Sequence, residues 1–274
     1  MRSLGAGDET VSWTQDEVLH ESAQWVSPWA PPGADLVVTD RIRLYIDRDA
    51  ATIVRAEPDD AWRVEDFVDA VLTMSVARGA ARASWNVRPG PVGEAVLEVL
   101  HGRGGVVEEL IDICCWDLTW GLPTIPVPAD VAVRPVRNRD DVAALQRIDA
   151  EVWGYRELND REIDQQVENL MPGRFIALVG DRPAGSAGYG LVDSDCARVE
   201  SVARLWGAGV VSSLRRRGAY RGLLAARLDD ARARGATLAL AHARAGTSGP
   251  VLRRIGFEQV GQQTVVAVST KALP

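Results

Sequence analysis

Four arginines crowd one short stretch: Arg215, Arg216, Arg217 and Arg221 in VVSSLRRRGAYRGLLAARLDDARARGA. The pattern predicts a helix from about Gly218 to Arg234, so all four fall at its N-terminus. That end of a helix carries roughly half a positive charge, from N–H groups without partners. An arginine there costs about 0.3–1 kcal/mol unless an anion is held. The chemistry expected is recognition of a phosphate-like group, with Gly218 letting the backbone come close and the exposed amides cradling it. The plainer reading is a solvated patch in an arginine-rich chain whose only lysine is Lys271.

The elements that must position this stretch can be read on either side of it. Strand VAVRPV is followed by helix RNRDDVAALQRIDAEVW, with Val142, Leu145 and Ile148 on one face and Asp149 opposite. NDREIDQQVENLM is a second helix, capped by Asn159 with Glu162 at the capping-box position. RFIALVG, AGSAGYGLV and ARLWGAGVVSSL are strands. After the arginine helix come strand ATLALAHA, helix TSGPVLRRIG and strand FEQVGQQTVVAVS. The order is β-α-α-β-β-β-α-β-α-β.

Upstream, Pro123, Pro126 and Pro128 make residues 122–130 a stiff linker between a first half, 35–121, and a second, 131–274. The first half reads as strands RIRLYID and ATIVRAE, then helix WRVEDFVDAVLTMSVARGA with Val64, Phe67, Val68, Val71 and Leu72 on its buried face. Strand ASWNV, helix EAVLEVLHGR and one or two strands in VVEELIDICCWDLTW complete it. Residues 1–34 form a peripheral extension with a short helix capped by Thr14 and Glu17. The halves echo each other: helix, Gly-Ala (Gly79-Ala80, Gly235-Ala236), strand, helix, glycine, strand. Coincidence among βα units is one explanation; duplication is favoured.

Bulk properties narrow the function. The 274 residues are 46% hydrophobic and 25% charged, a soluble globular profile. The net charge of −7 argues against nucleic acid as main partner. Cys114, Cys115 and Cys196 give no disulfide framework and no zinc spacing, so no metal is expected and a reducing cytoplasm fits. MRSLGAGDETVSW lacks an apolar core, so no signal peptide is expected, nor any membrane span.

Arg215-x-x-Gly218-x-Tyr220 nearly matches the Q/R-x-x-G-x-G/A loop of the GCN5-related N-acetyltransferase (GNAT) family. PVLRRIGF, Pro250 to Phe257, matches that family's later helix ending in a Gly-Phe pair. The resemblance covers Val131 to Ser269 and implies an α/β (α+β) fold: a mixed, splayed sheet flanked by helices, with the loop between fourth strand and third helix. The chain as a whole resembles two tandem GNAT-like domains. The resemblance implies an acyl-CoA, acetyl-CoA foremost, as cofactor. Backbone N–H groups from Arg216 to Arg221 would hold its diphosphate, with Arg215, Arg216, Arg217, Gly218, Ala219, Tyr220 and Arg221 forming the loop. Val210, Val211 and Ser212 would border the pantetheine, beside a β-bulge, and one N–H between Gly209 and Val211 would polarise the thioester carbonyl.

The sequence departs from the family at three positions. The second small residue of the loop is Tyr220, whose ring must turn away from the phosphates toward Leu224 and Leu228. The family's tyrosine acid falls at Leu252 and its fourth-strand glutamate near Leu205. Candidate substitutes are His242 and Glu200; the alternatives are a packed histidine and a solvated glutamate. Ser248 either caps the last helix or touches the CoA sulfur. Trp153 and Tyr155 are expected either to line the acceptor site or to pack at a helix junction. The first half has Glu57, Asp59 and Asp60 where a diphosphate loop would need glycine, so it reads as a degenerate copy that helps wall the cleft. The expected activity is acyl transfer to a small-molecule amine; the alternative is a non-catalytic acyl-CoA-binding or interaction module.

Overall fold

The computed structural model describes residues 12–27, 29–31, 33–196 and 200–270. Most of the N-terminal segment read for a signal peptide, and Lys271, lie outside them. The first half runs α1 (Gln15–Gln24), β1 (Asp35–Val38), β2 (Ile42–Asp47), β3 (Ala50–Ala56), α2 (Val64–Val76), β4 (Arg82–Val87), α3 (Pro91–Gly102) and β5 (Val106–Asp117). The second half runs β6 (Val131–Pro135), α4 (Arg139–Trp153), α5 (Asp160–Glu168), β7 (Arg174–Val179), β8 (Arg182–Asp193), β9 (Ser201–Val210), α6 (Ala219–Ala233), β10 (Ala236–Arg244), α7 (Ser248–Ile255) and β11 (Glu258–Ser269). This is the order expected for the second half. Strand β1 is an element the sequence reading did not anticipate.

Local chemistry sets several boundaries. Thr14–Glu17 and Asn159–Glu162 each form a complete capping box, so orphan N–H groups at the heads of α1 and α5 are satisfied. Gly79 and Gly235 adopt φ of +87° and +92° directly after α2 and α6, so the Gly-Ala echo occupies equivalent turns in both halves. Phe67, Val68, Val71 and Leu72 of α2 are buried as the 3.6-residue period requires.

One sheet runs through the molecule, in the order β1-β2-β3-β4-β11-β5-β10-β9-β8-β7-β6. The first half supplies β5, which lies between β10 and β11 of the second half; the second half supplies β11, which lies between β4 and β5. The halves therefore exchange their last strands across a pseudo-twofold centred on the antiparallel β5–β11 pair. The proline linker divides the chain, not the sheet.

Alternate residues of a strand face opposite sides of the sheet, which separates the helices. On β8, Gly185 faces Leu223 of α6, while Ser186 bonds Asp149 of α4. Helix α7 lies on the α6 side, where Gly249 packs on Asp112. Helix α1 shares the other face with α4: Glu21 reaches Arg204 of β9 and Ser22 reaches His242 of β10. The extension is thus not peripheral. Val18, Glu21 and Ser22 are buried, because the centre of an exchanged sheet would otherwise leave Ile113, Leu240 and Val260 uncovered.

Candidate active site

Strands β9 and β10 run parallel and paired from Ala236↔Ser201 to Ala241↔Leu205, and there the pairing ends. Beyond it β9 continues with β8 alone and β10 with β5 alone. A gap opens between two neighbouring strands. Its cause is a bulge between the Ser186↔Gly209 and Gly188↔Trp206 pairs, with Gly207 at φ +61°. The sequence reading set the bulge at Val210–Ser212; it lies earlier, at Gly207, because a left-handed residue there is what only glycine adopts cheaply.

Val211 donates its N–H to Ala184 O of β8, 2.9 Å away. Successive peptide groups alternate direction along a strand, so the Val210 N–H points the other way, into the gap. The Val210 carbonyl shares that side and accepts from Arg215 Nε at 3.1 Å. A donor aimed into a gap from which water can be excluded is what polarises a carbonyl.

The chain then passes a short 3-10 turn, Ser212–Leu214, and Arg216 at φ +61° before Gly218 at φ +91° starts α6. The N–H groups of residues 216 to 221 have no acceptor among the described residues, and Gly218 offers no side-chain cap. Unpaired N–H groups at the head of a helix can hold an anion. Arg215, Arg216 and Arg217 are exposed around it. Arg217 Nη2 pairs with Asp130 of the linker at 2.8 Å, whereas Arg215, Arg216 and Arg221 have no carboxylate partner among the described residues. These donors fit the diphosphate of an acyl-CoA. Tyr220 packs against the hydrophobic cluster that includes Leu224 and Leu228. Burial pushes its phenol up and lowers the neighbouring buried Arg227 to about 10.

The opposite face of the gap is walled by the end of α4, the loop after it and the first half. Val152 and Trp153 press on Gly209, where a Cβ would lie 2.6 Å and 3.2 Å from their side chains. Tyr155 packs on Trp29 with ring centroids 4.9 Å apart, and Trp29 packs edge-on against Tyr45 of β2 at 6.2 Å. Trp153 and Tyr155 therefore pack at the helix junction, and Tyr155 meets the first half through Trp29. Burial raises the Tyr155 phenol to about 12, reinforced by Tyr45, Asp149 and Asp47 and opposed by Arg244.

The three side chains named as acid or base candidates fare differently. Glu200 is displaced: it precedes β9 and accepts from Thr237 at 3.1 Å. It stands at the far end of a 10-residue strand, roughly 30 Å from Val210 at about 3.3 Å per residue. His242 lies at the splay but is enclosed, stacked on Trp25 at 4.4 Å and bonded through Nε2 to Ser22 Oγ at 2.8 Å. Burial, with Arg88 and Arg204 nearby, depresses it to about 3, so the free imidazole is far too weak a base at neutral pH. Ser248 occupies the first residue of α7 behind Thr247 and makes no capping bond; it stands just past the end of β10. Leu205 and Leu252 are core residues, 5% and 1% exposed.

A carboxylate that the sequence reading placed away from the core belongs to this cleft. Asp149 follows Leu145 by four residues, so it flanks the buried stripe of α4 and does not oppose it. Its Oδ1 accepts from Ser186 Oγ at 2.6 Å, and Arg174 Nη2 stands 4.0 Å from Oδ2. Burial raises its pKa, with Ser186 and Arg174 opposing. Among the described residues no group of His, Cys, Asp and Glu could hold a metal ion, and no helix is long and apolar enough to cross a membrane. The first half has no equivalent cradle: α2 begins behind Arg63 with Glu65 and Asp66 in its first turn.

Residues 140–257 match the model of the acetyltransferase (GNAT) family. The chain superimposes on a GCN5-related N-acetyltransferase from Kribbella flavida at 18% identity and TM-score 0.60, over 92% of this chain and 94% of that one. It superimposes on a tandem GNAT protein from the clavulanic acid biosynthesis pathway at 14% identity and TM-score 0.60, covering 95% and 98%. A GCN5-related N-acetyltransferase from Sphaerobacter thermophilus gives 16% identity and TM-score 0.61, covering 84% and 76%. No curated protein matches the chain significantly. The match to the acetyltransferase (GNAT) family therefore lies within the second half, at residues 140–257, and the chain as a whole shares the fold of these GCN5-related structures.

Proposed function

We propose that the second half moves an acetyl or other short acyl group from acyl-CoA to the amine of a small acceptor. The observation that carries this reading is the alignment of two donor sets along one path. The free N–H groups of residues 216 to 221 suit a diphosphate, and the Val210 N–H, aimed into the β9–β10 gap, suits a thioester carbonyl. A cofactor entering from the α6 face leaves the α4 face for the acceptor, between Trp153, Tyr155, Trp29 and Tyr45. Direct attack by an amine held in that geometry needs positioning above all. The aromatic wall and the carboxylates Asp47 and Asp149 favour a small cationic amine over an anionic acceptor.

A second reading, an acyl-CoA binder without turnover, draws support from the core leucines at positions 205 and 252, where the family carries its acid and base. Two measurements separate the readings. Calorimetric titration with acetyl-CoA is expected to give a Kd in the micromolar range, lost in the Arg215→Glu/Arg217→Glu double variant while its thermal melt stays cooperative. Release of CoA thiol with a panel of small amines is expected only under the first reading. Unchanged affinity in the double variant would overturn the cradle; binding without thiol release for any amine would favour the second reading.

A further inference from the structure

The cleft lacks the family's acid and base at their usual positions, and His242 and Glu200 do not serve. An acceptor amine is mostly protonated near neutral pH, so a proton acceptor on the α4 face is the missing part. Three observations converge on one side chain. Ser186 pairs directly with Gly209, the residue before Val210, and cross-strand partners stand about 4.5–5.5 Å apart. Ser186 faces α4 and steers Asp149 by its 2.6 Å hydrogen bond to Oδ1. The same helix presses Val152 and Trp153 onto Gly209, which fixes the distance of α4 from the strand that polarises the carbonyl. The Asp149 carboxylate therefore lies beside the splay, on the acceptor side, and is one-fifth exposed. No hydrogen-bond donor among the described residues reaches its Oδ2; Arg174 approaches only to 4.0 Å.

We propose that Asp149 is the general base for the acceptor amine, a reading that rests on the acyl-CoA assignment above. Oδ2 takes the proton that blocks the acceptor nitrogen and passes it to solvent, and the freed lone pair then forms the C–N bond at the thioester carbon while the nitrogen sheds a second proton. The C–S bond breaks, the sulfur leaves with its electron pair, and it is protonated from solvent, so amine and thioester become amide and free thiol. The charged group facing Asp149 is Arg174 of β7, and the titratable neutral group beside it is Tyr155 of the loop after α4, itself near Arg244 and Asp47. Burial lifts the carboxyl above its ordinary range, which moves it toward the pH where a base works best. Ser186 is a positioning residue, since it acts through Asp149.

The test compares wild type, Asp149→Asn, Asp149→Glu and Ser186→Ala by acetyl-CoA calorimetry and by thiol release between pH 5 and 9. The amines are chosen with pKa values above and below the assay pH. Asn keeps the Ser186 hydrogen bond, so CoA affinity is expected to stay within twofold. For amines of high pKa, kcat/KM of Asp149→Asn is expected to fall about 100-fold and the acid limb of the pH profile to vanish. Amines already neutral at the assay pH are expected to lose less than tenfold, and Asp149→Glu to recover part of the loss. Ser186→Ala is expected to lower kcat and leave CoA affinity alone. Equal losses for both amine classes, or an unchanged acid limb, would overturn the assignment. Failure of wild type to bind acetyl-CoA would overturn the cofactor site and this inference with it, and the calorimetric arm identifies that case.

Discussion

Pro128 stands where a side chain on Gly218 would have to stand: a Cβ built there lies 2.5 Å from the proline Cδ and 2.7 Å from its Cγ. The linker is therefore packed on the head of α6. Two residues on, Asp130 holds Arg217. A stretch read from its prolines as a spacer is a structural part of the anion cradle.

Gly218→Ala tests that packing. The residue sits at φ +91°, where a Cβ adds strain of about 1–2 kcal/mol, and the proline ring is too stiff to yield without moving the linker. The variant is expected to lose about 1–3 kcal/mol of stability and at least tenfold in acetyl-CoA affinity. Thermal melts and calorimetry read both. A variant with native affinity would mean that the cradle does not depend on the approach of the linker.

The acceptor wall is tested through Trp29, which touches Tyr155 of one half and Tyr45 of the other. Trp29→Ala removes the bridge and leaves the α6 face untouched. Acceptor KM is expected to rise about fivefold to thirtyfold, in line with losing about 1–2 kcal/mol of aromatic contact, with acetyl-CoA affinity unchanged. A fall in acetyl-CoA affinity instead would show that the strap carrying Trp29 supports the cofactor side.

His242 supplies a prediction about stability in place of catalysis. Its folded pKa is depressed to about 3 from 6.5, so between those values the unfolded chain binds a proton that the folded chain refuses. The stabilisation is present above pH 6.5 and is lost as pH falls toward 3. Replacing His242 by Gln, which can still bond Ser22, is expected to flatten the decline in melting temperature between pH 6.5 and 4. Parallel curves for wild type and variant would mean that the imidazole titrates freely.

Legibility in the sequence followed the range of the interaction. The capping boxes at Thr14 and Asn159 were visible because partner and cap are three residues apart. The left-handed glycine and the exposed arginines at the head of α6 were readable because they share one turn of the chain. The roles of His242 and Glu200 were not, because residue type reports intrinsic basicity and says nothing of burial under Trp25 or of position along a strand. Asp149 was misplaced by a helix wheel that treats every charge as solvent-facing; its partner Ser186 lies 37 residues away. The bulge was shifted because Gly207 and Gly209 are indistinguishable in sequence, yet one bends the strand and the other admits α4. The strand exchange was invisible because β5 and β11 have the same pattern whichever neighbours they choose.

That exchange makes the last prediction. In residues 122–274 alone, β11 would lack both its neighbours, β4 and β5, β10 would lack β5, and the core that α6 covers would lose Cys114 of β5 and Leu118 of the turn after it. Three unpaired edges and an opened core leave such a fragment with little to hold β11 in place. Each half expressed alone is expected to aggregate or to melt without cooperativity. Residues 1–121 and 122–274 expressed together are expected to recover a one-to-one complex with a cooperative melt and acetyl-CoA affinity within tenfold of the intact chain. Gel filtration, circular dichroism and calorimetry read the three properties. A monomeric, cooperatively folded 122–274 fragment that binds acetyl-CoA as the whole protein does would show that the second half can close its own sheet, and that β5 is a replaceable neighbour in place of a required one.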